Sequence, residues 1–402
     1  MEILELLLIS TFLTLIPGQL VRIPLFSSSG AITLTDILVL TTDLFFLIYA
    51  FSIKKSLKIH YKIFFPALLF CLSALASTIL AIGKFSSAQI LVSSFFLVRF
   101  VLYFFLSVVV YNVVQKKHIL NWLNLILFVG FLFIILGFIQ LLIFPDLSFL
   151  VVFGWDPHQT RIVSTLLDPN FAGLIFVLLF TISISRYLFW EKGHLGLIFL
   201  VMAILSFLAL IFTFSRSSYI AFLVSATIIG IVKSPKILIS VLVLFLVAFL
   251  TIGQVRGRII GAFTLDETAR ARIISWQNAL VIFKDNSFFG VGFDTYRFAQ
   301  ANYGFFSFDD PEGGHSGSGV DSSLLLVLVT TGIIGFGFYL FLLLALFQEF
   351  KNKVKINVVH LASTSFFVGL IVHSQFVNSL FFPQIMLILW FMLGLVHVDD
   401  TL

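Results

Sequence analysis

Charge is what this chain has least of: Asp, Glu, Lys and Arg make up 11% of its 402 residues, against roughly a quarter in soluble domains. That shortage excludes an ordinary soluble enzyme. Cysteine is almost missing, and the lone Cys71 lies inside an apolar run, which excludes an intramolecular disulfide framework. No Gly/Ser linker, low-complexity tract or short-period repeat interrupts the chain, which excludes solenoids and arrays. The opening MEILELL has acids where a secretory signal carries lysines and no small-residue cleavage site follows, so the first apolar run is expected to be a retained span.

What is present is apolar bulk: 60% of residues are hydrophobic, 52 are phenylalanine, and mean hydropathy is +1.14. An all-α integral membrane protein is the class this implies, the phenylalanines serving as lipid-facing and interhelical filler. Apolar runs long enough to cross about 30 Å of hydrocarbon lie near 3–20, 32–52, 63–83, 88–113, 119–144, 171–190, 195–214, 217–233, 236–252, 321–347, 357–377 and 381–397. Twelve spans are therefore expected, in a single polytopic domain over 1–402.

Lysines set the expected orientation, since positive residues stay on the cytoplasmic side of short loops. With an inside N-terminus, only Lys84 and Lys284 fall outside. Both termini are then cytoplasmic. The loop 145–170, the junction Ser215-Arg216-Ser217 and the long loop 253–320 share the outer face. The net charge of +5 comes mostly from loop lysines that meet anionic lipid, so no nucleic-acid partner is expected.

Arginines sort differently from lysines. Of ten, eight fall on or near the expected outer face: Arg22, Arg161, Arg216, Arg256, Arg258, Arg270, Arg272 and Arg297. A guanidinium is a rigid fork of donors matched to phosphate oxygens, so such a set points to an anionic lipid-linked ligand such as a pyrophosphate. Ion pairing with Asp266, Glu267 and Asp285 and headgroup contact are the plainer alternative.

Three segments are candidates for one site. In Arg161 to Asn170, Asp168-Pro169-Asn170 leads into an apolar run, where Asp168 or Asn170 also suits a helix cap. Thr213 to Ser218 is a tight polar hairpin holding Arg216. From Ala269 through Arg270 to Phe283 a helix is expected inside the long loop, with Arg272, Trp276, Ala279 and Phe283 on one face; such a helix can lie at the interface with Trp276 at headgroup depth and Arg272 beside it. Beyond it, Gly290 and Gly292 suit tight turns and lack the context of a nucleotide loop. His315 and Asp321 are the candidates for a general base on an acceptor hydroxyl. Arg99, near the middle of an apolar run, requires a buried partner, with Asp36 and Asp43 as the choices.

These segments, in this order, resemble the O-antigen ligase and polymerase superfamily, whose members transfer glycan from an undecaprenyl pyrophosphate carrier. The resemblance rests on Arg161 with Pro169-Asn170, on Ser215-Arg216, on Arg272 and Trp276 ahead of Gly290 and Gly292, and on the junction from Asp321 to Gly332 and Gly335. It implies a GT-C-like architecture of about twelve spans with one long extracytoplasmic loop in the bacterial inner membrane. It further implies that Arg161, Arg216 and Arg272 neutralise a departing pyrophosphate, supported by Asp168, Asn170, Trp276 and Arg270. His315 or Asp321 would activate the acceptor. Ligases of the family place His-Asn at the last junction, where this chain has Asp321-Ser322, so a polysaccharide polymerase is preferred to an O-antigen ligase acting on a lipid A-core acceptor. Membrane lipids and a chain-length regulator are the further partners implied.

No cofactor is expected, and no metal site, since the outer face shows no close set of His, Cys and carboxylates at ligand spacing. A transporter or flippase is the rival from another class. Two six-span halves about a central cytoplasmic loop would mark it, whereas the longest loop here follows the ninth run.

Overall fold

Every one of the twelve apolar runs holds a helix. The computed structural model describes residues 2–25, 30–54, 57–189, 193–307 and 319–400. In chain order its α-helices are α1 (Glu2–Leu13), α2 (Leu34–Tyr49), α3 (Tyr61–Leu80), α4 (Ser87–Val113), α5 (Ile119–Ile143), α6 (Pro169–Phe189), α7 (His194–Ile211), α8 (Arg216–Val232), α9 (Pro235–Thr251), α10 (Gly253–Phe263), α11 (Glu267–Asp285), α12 (Tyr296–Asn302), α13 (Ser323–Lys351), α14 (Val358–His373) and α15 (Pro383–Asp400). One short antiparallel hairpin, β1 (Arg22–Leu25) and β2 (Gly30–Thr33), is the only sheet among the described residues. The protein is an all-α polytopic membrane protein.

The spans are less uniform than the expectation of twelve. Eight helices are long and apolar enough to cross a membrane: α2 to α7, α13 and α15. The ninth, α9, bends by 98° into the loop helices at its end, and α8 and α14 are shorter apolar helices. The expected span 3–20 is corrected: α1 ends at Leu13, and its 12 residues reach only about 18 Å. The reason is polar content. Thr11 and Thr14 hydrogen-bond to Thr42 and Thr35 at 3.0 and 2.9 Å, and Gln19 reaches Gln384 at 2.9 Å, so this stretch turns into the protein instead of facing lipid.

α15 and α6 form the centre, with 89% and 83% of their apolar windows buried, against 39% for α2, α3 and α5 at the rim. Deep in α4, Arg99 clamps Asp36 of α2 with two bonds of 2.9 and 2.8 Å, and the Tyr103 hydroxyl donates to the same carboxylate. Asp36 is thus the partner. Asp43 is buried without a hydrogen-bond partner.

α13 is broken at Gly332, whose φ of +65° is not helical. A break inside lipid would strand backbone groups. Here the Gly-x-Gly segment fills the gap: Val291 and Gly292 donate to the carbonyls of Val329 and Thr330, Ile333 donates to Ser287, and Ser77 caps Thr330. A side chain at Gly290 or Gly332 would run into the opposing backbone. The two glycines therefore let the long loop fuse to the last third of the bundle.

Candidate active site

The long loop is mostly helix. α11 packs on α13 through one edge: Ala279 and Ile282 are buried against Leu326 and Val329. Trp276 turns inward, its indole N–H donating to the Asp321 carbonyl at 3.0 Å, while the Asp321 N–H donates to Ser275 at 3.2 Å. Arg272, one turn before Trp276, is thereby held beside the Asp321 carboxyl.

The second wall is the loop 145–168. Gln140 of α5 ties it down, accepting from Val163 at 3.0 Å and donating to the Arg161 carbonyl at 3.3 Å. Asp168 accepts from the N–H groups of Asn170 and Phe171 at 2.6 and 3.2 Å, so it does cap α6. Asn170 accepts from Ser215 and Ser217 at 2.6 and 3.3 Å. Those serines begin α8, and Ser217 and Ser218 meet the Nε2 of fully buried His373 at 3.2 and 3.3 Å. The first two candidate segments are thus one hydrogen-bonded floor, and His373 from α14 completes it.

The arginines fall into two groups. Arg161 and Arg216 already have work. Arg161 donates to the carbonyls of Thr213 and Phe214 at 2.8 and 3.3 Å, clamping the α7–α8 turn whose Phe214 sits at a φ of +49°. Arg216 is ion-paired through both terminal nitrogens to Asp266. That pairing holds the Asp266 carboxyl down to about 2. Arg270 is exposed and donates to the Leu265 carbonyl. Arg272 and Arg258, both half-buried, have neither a hydrogen bond nor an ion pair among the described residues. Burial lowers both, and each lies within electrostatic reach of Arg216 and of the other. Arg161 is lowered to about 10, by burial first and by repulsion from Arg258 second. At about 10, Arg161 remains cationic at neutral pH.

Within electrostatic reach of Arg272 is a carboxyl with altered acidity. Burial pushes Asp321 up to about 6, against the pull of Arg272. His158 lies in the same field: burial and the nearby Arg161 lower it to about 4, so it is neutral at pH 7, and its Nε2 is buried without a hydrogen-bond partner. His315 lies outside the described residues.

The expectation that no close set of ligands exists on this face is corrected. Ligand atoms of Asp156, His158 and Asp168 lie within 4.8 Å of one another. Their spacing along the chain hides this, because the loop doubles back between Asp156 and Asp168. Arg161 and Arg258 flank the set, and their positive field opposes a cation there.

Sequence reasoning therefore reached Arg161, Asp168, Asn170, Arg216, Arg272, Trp276 and Asp321, which the fold gathers at one end of the bundle. It counted Arg258 among the outward arginines without singling it out, and it missed His158 and His373. Arg258 carried a signal, being one of the arginines of the long loop left with no acid at helical spacing.

Residues 201–340 match the family model described as O-Antigen ligase. No curated protein matches the chain. The matched stretch holds Arg216, Arg258, Asp266, Arg272, Trp276, both loop glycines and Asp321, whereas the loop with Arg161 and the α14 histidine lie outside it. This match supports the O-antigen ligase and polymerase superfamily for the chain.

Proposed function

We propose that this protein polymerises undecaprenyl-pyrophosphate-linked oligosaccharide repeat units on the outer face of the bacterial inner membrane. The observation that carries the reading is the pair of guanidiniums left uncommitted among the described residues, Arg258 and Arg272, with the half-buried Asp321 carboxyl, at about 6, within electrostatic reach of Arg272. Cleaving a glycosyl–pyrophosphate bond develops negative charge on the leaving group, and donors fixed in a partly dry site stabilise that charge without reorganising. Arg272 and Arg258 bind the pyrophosphate directly. Arg161 holds the turn from which Arg216 projects, and Arg216 adds field while Asp266 holds its fork.

Asp321 accepts the proton of the attacking sugar hydroxyl. A carboxylate near 6 is mostly ionised at pH 7 yet basic enough to assist. Trp276 positions it through its backbone carbonyl. Because the carrier pyrophosphate already activates the donor sugar, the residues described supply binding, charge and proton transfer without a nucleotide or metal.

Ligation of finished glycan to an outer acceptor is the second reading, favoured by the description of the matched family. The junction Asp321-Ser322, in place of His-Asn, favours polymerisation. The lipid-linked glycan profile of a deletion strain separates them: single repeat units on carrier support the polymerase, and full-length polymer stranded on carrier overturns it in favour of the ligase. An unchanged glycan pool with unflipped carrier would instead indicate transport.

A further inference from the structure

The end of the bundle opposite the arginines gathers a different set of side chains. His60, just before α3, lies 3.6 Å from Glu349 near the end of α13. Its ring stacks on His397 of α15, centroids 4.1 Å apart and planes 13° from parallel. The ligand atoms of His60, Glu349 and His397 lie within 4.8 Å of one another. Glu349 and His397 are 5% and 4% exposed. The Nε2 of His397 and the Nδ1 of His60 are buried with no hydrogen-bond partner.

One turn along α15 a second group follows, His360 with Asp399 and Asp400. Its carboxylates are engaged: Asp400 holds Lys353 at 2.6 Å and Asp399 accepts from Asn357 at 2.9 Å. In the first group the Glu349 carboxylate has, among the described residues, only the 3.6 Å contact to His60. A buried glutamate facing two imidazoles with unused ring nitrogens is costly as it stands, because a buried charge requires a counter-charge and buried nitrogens require partners.

We infer that His60, Glu349 and His397 form a binding site for a divalent transition cation of the zinc class. Two imidazoles and one carboxylate are a zinc donor set, and alkaline-earth ions prefer all-oxygen sites. Bonds of about 2.0 to 2.1 Å place tetrahedral ligands roughly 3.3 Å apart, so on binding the two stacked rings must turn about their side-chain torsions to aim their in-plane lone pairs at one point, and the spacing of up to 4.8 Å must close by up to about 1.5 Å. The cation neutralises Glu349, satisfies the orphan nitrogens and staples the start of α3 to the ends of α13 and α15. It lies about 40 Å along α13 from Asp321, so it is a structural or regulatory clamp, independent of the glycosyl-transfer reading.

Full-length protein in detergent, stripped with chelator and dialysed against limiting zinc, is assayed by elemental mass spectrometry. Wild type should retain one zinc per chain. His397→Ala and Glu349→Gln should each weaken retention at least about tenfold, since even outer-shell changes cost 10- to 100-fold, and Asp399→Asn should not. Cobalt loading should give the intense visible bands of a four-coordinate ion, shifted in His60→Ala. Should His397→Ala fail to fold, the near-isosteric Glu349→Gln and the wild-type cobalt spectrum decide. Wild type that retains neither metal overturns the inference, as does Asp399→Asn losing zinc as fully as Glu349→Gln.

Discussion

The two ends of this bundle carry the same sign of charge in different side chains, and their backbones differ accordingly. At the arginine end lie all six non-glycine residues with positive φ among those described, Thr160, Ser164, Leu167, Phe214, Leu265 and Asp294, together with the broken α13 and the bent α9. The lysine end has short connections such as Lys116–His118 and Lys233–Ser234, with no such residue. Backbone strain of this kind persists only where surrounding structure over-determines it, and it concentrates at functional sites. Arg161, Arg216, Arg258 and Arg272 are half-buried, whereas Lys116, Lys117, Lys351 and Lys355 are exposed and Lys353 nearly so. On the proposed reading, lysine marks a side of the membrane and arginine builds a site.

The largest test of that contrast is all-or-none. Cysteines placed at Ser307 and Lys355, in a Cys71→Ala background, should react with an impermeant thiol reagent from opposite faces; labelling from one face would break the two-ended reading. Next is the base. Asp321→Asn should lower polymer synthesis about 10²- to 10⁴-fold, and the wild-type rate should fall about tenfold per pH unit below about pH 6, a limb absent from the variant. Because the folded state raises this carboxyl above its ordinary value, ionising it costs stability as pH rises from about 4 to about 6. The variant should therefore melt no lower than wild type at pH 7. A variant that loses activity and thermal stability together would mark Asp321 as structural.

Arg272→Lys should cost about 10²- to 10³-fold, nearly as much as Arg272→Ala, because a point charge does not reproduce the fork. A lysine variant with near-normal polymer yield would reduce the arginines to general positive potential. Smaller effects are expected at the committed pair: the Arg216–Asp266 bridge is partly exposed, so Asp266→Asn should change stability by only about 0 to 1 kcal/mol in a denaturation assay. At the far end, Lys355→Ala should leave polymer yield unchanged within error, and a loss there would blur the contrast between the two ends.

Several parts of this arrangement were legible without coordinates. A lone arginine in an apolar run demands a carboxylate, and Asp36 was one of two in the second run. The twelve helices follow from run length, and the clustering of Arg161, Arg216 and Arg272 with Asp168, Asn170, Trp276 and Asp321 followed from their shared face. What misled was the assumption that an apolar run is a straight span. α1 stops at Leu13 because buried threonines bind α2, and α13 breaks at Gly332 because the loop supplies the missing hydrogen bonds.

The amino-acid sequence by itself determined that this chain is a helical membrane protein, where its apolar runs lie, and how lysines and arginines divide along it. Those properties depend on local polarity, and the cost of placing charge or bare backbone in hydrocarbon is read directly from residue type. Only the tertiary structure decided which arginines are spent and which are free, that His158, Asp156 and Asp168 meet, that His373 lies under the α8 serines, and that His60, Glu349 and His397 face one another across three helices. The reason is that a guanidinium's partner or an imidazole's neighbours are set by packing between segments distant in the chain, and no local pattern encodes that packing.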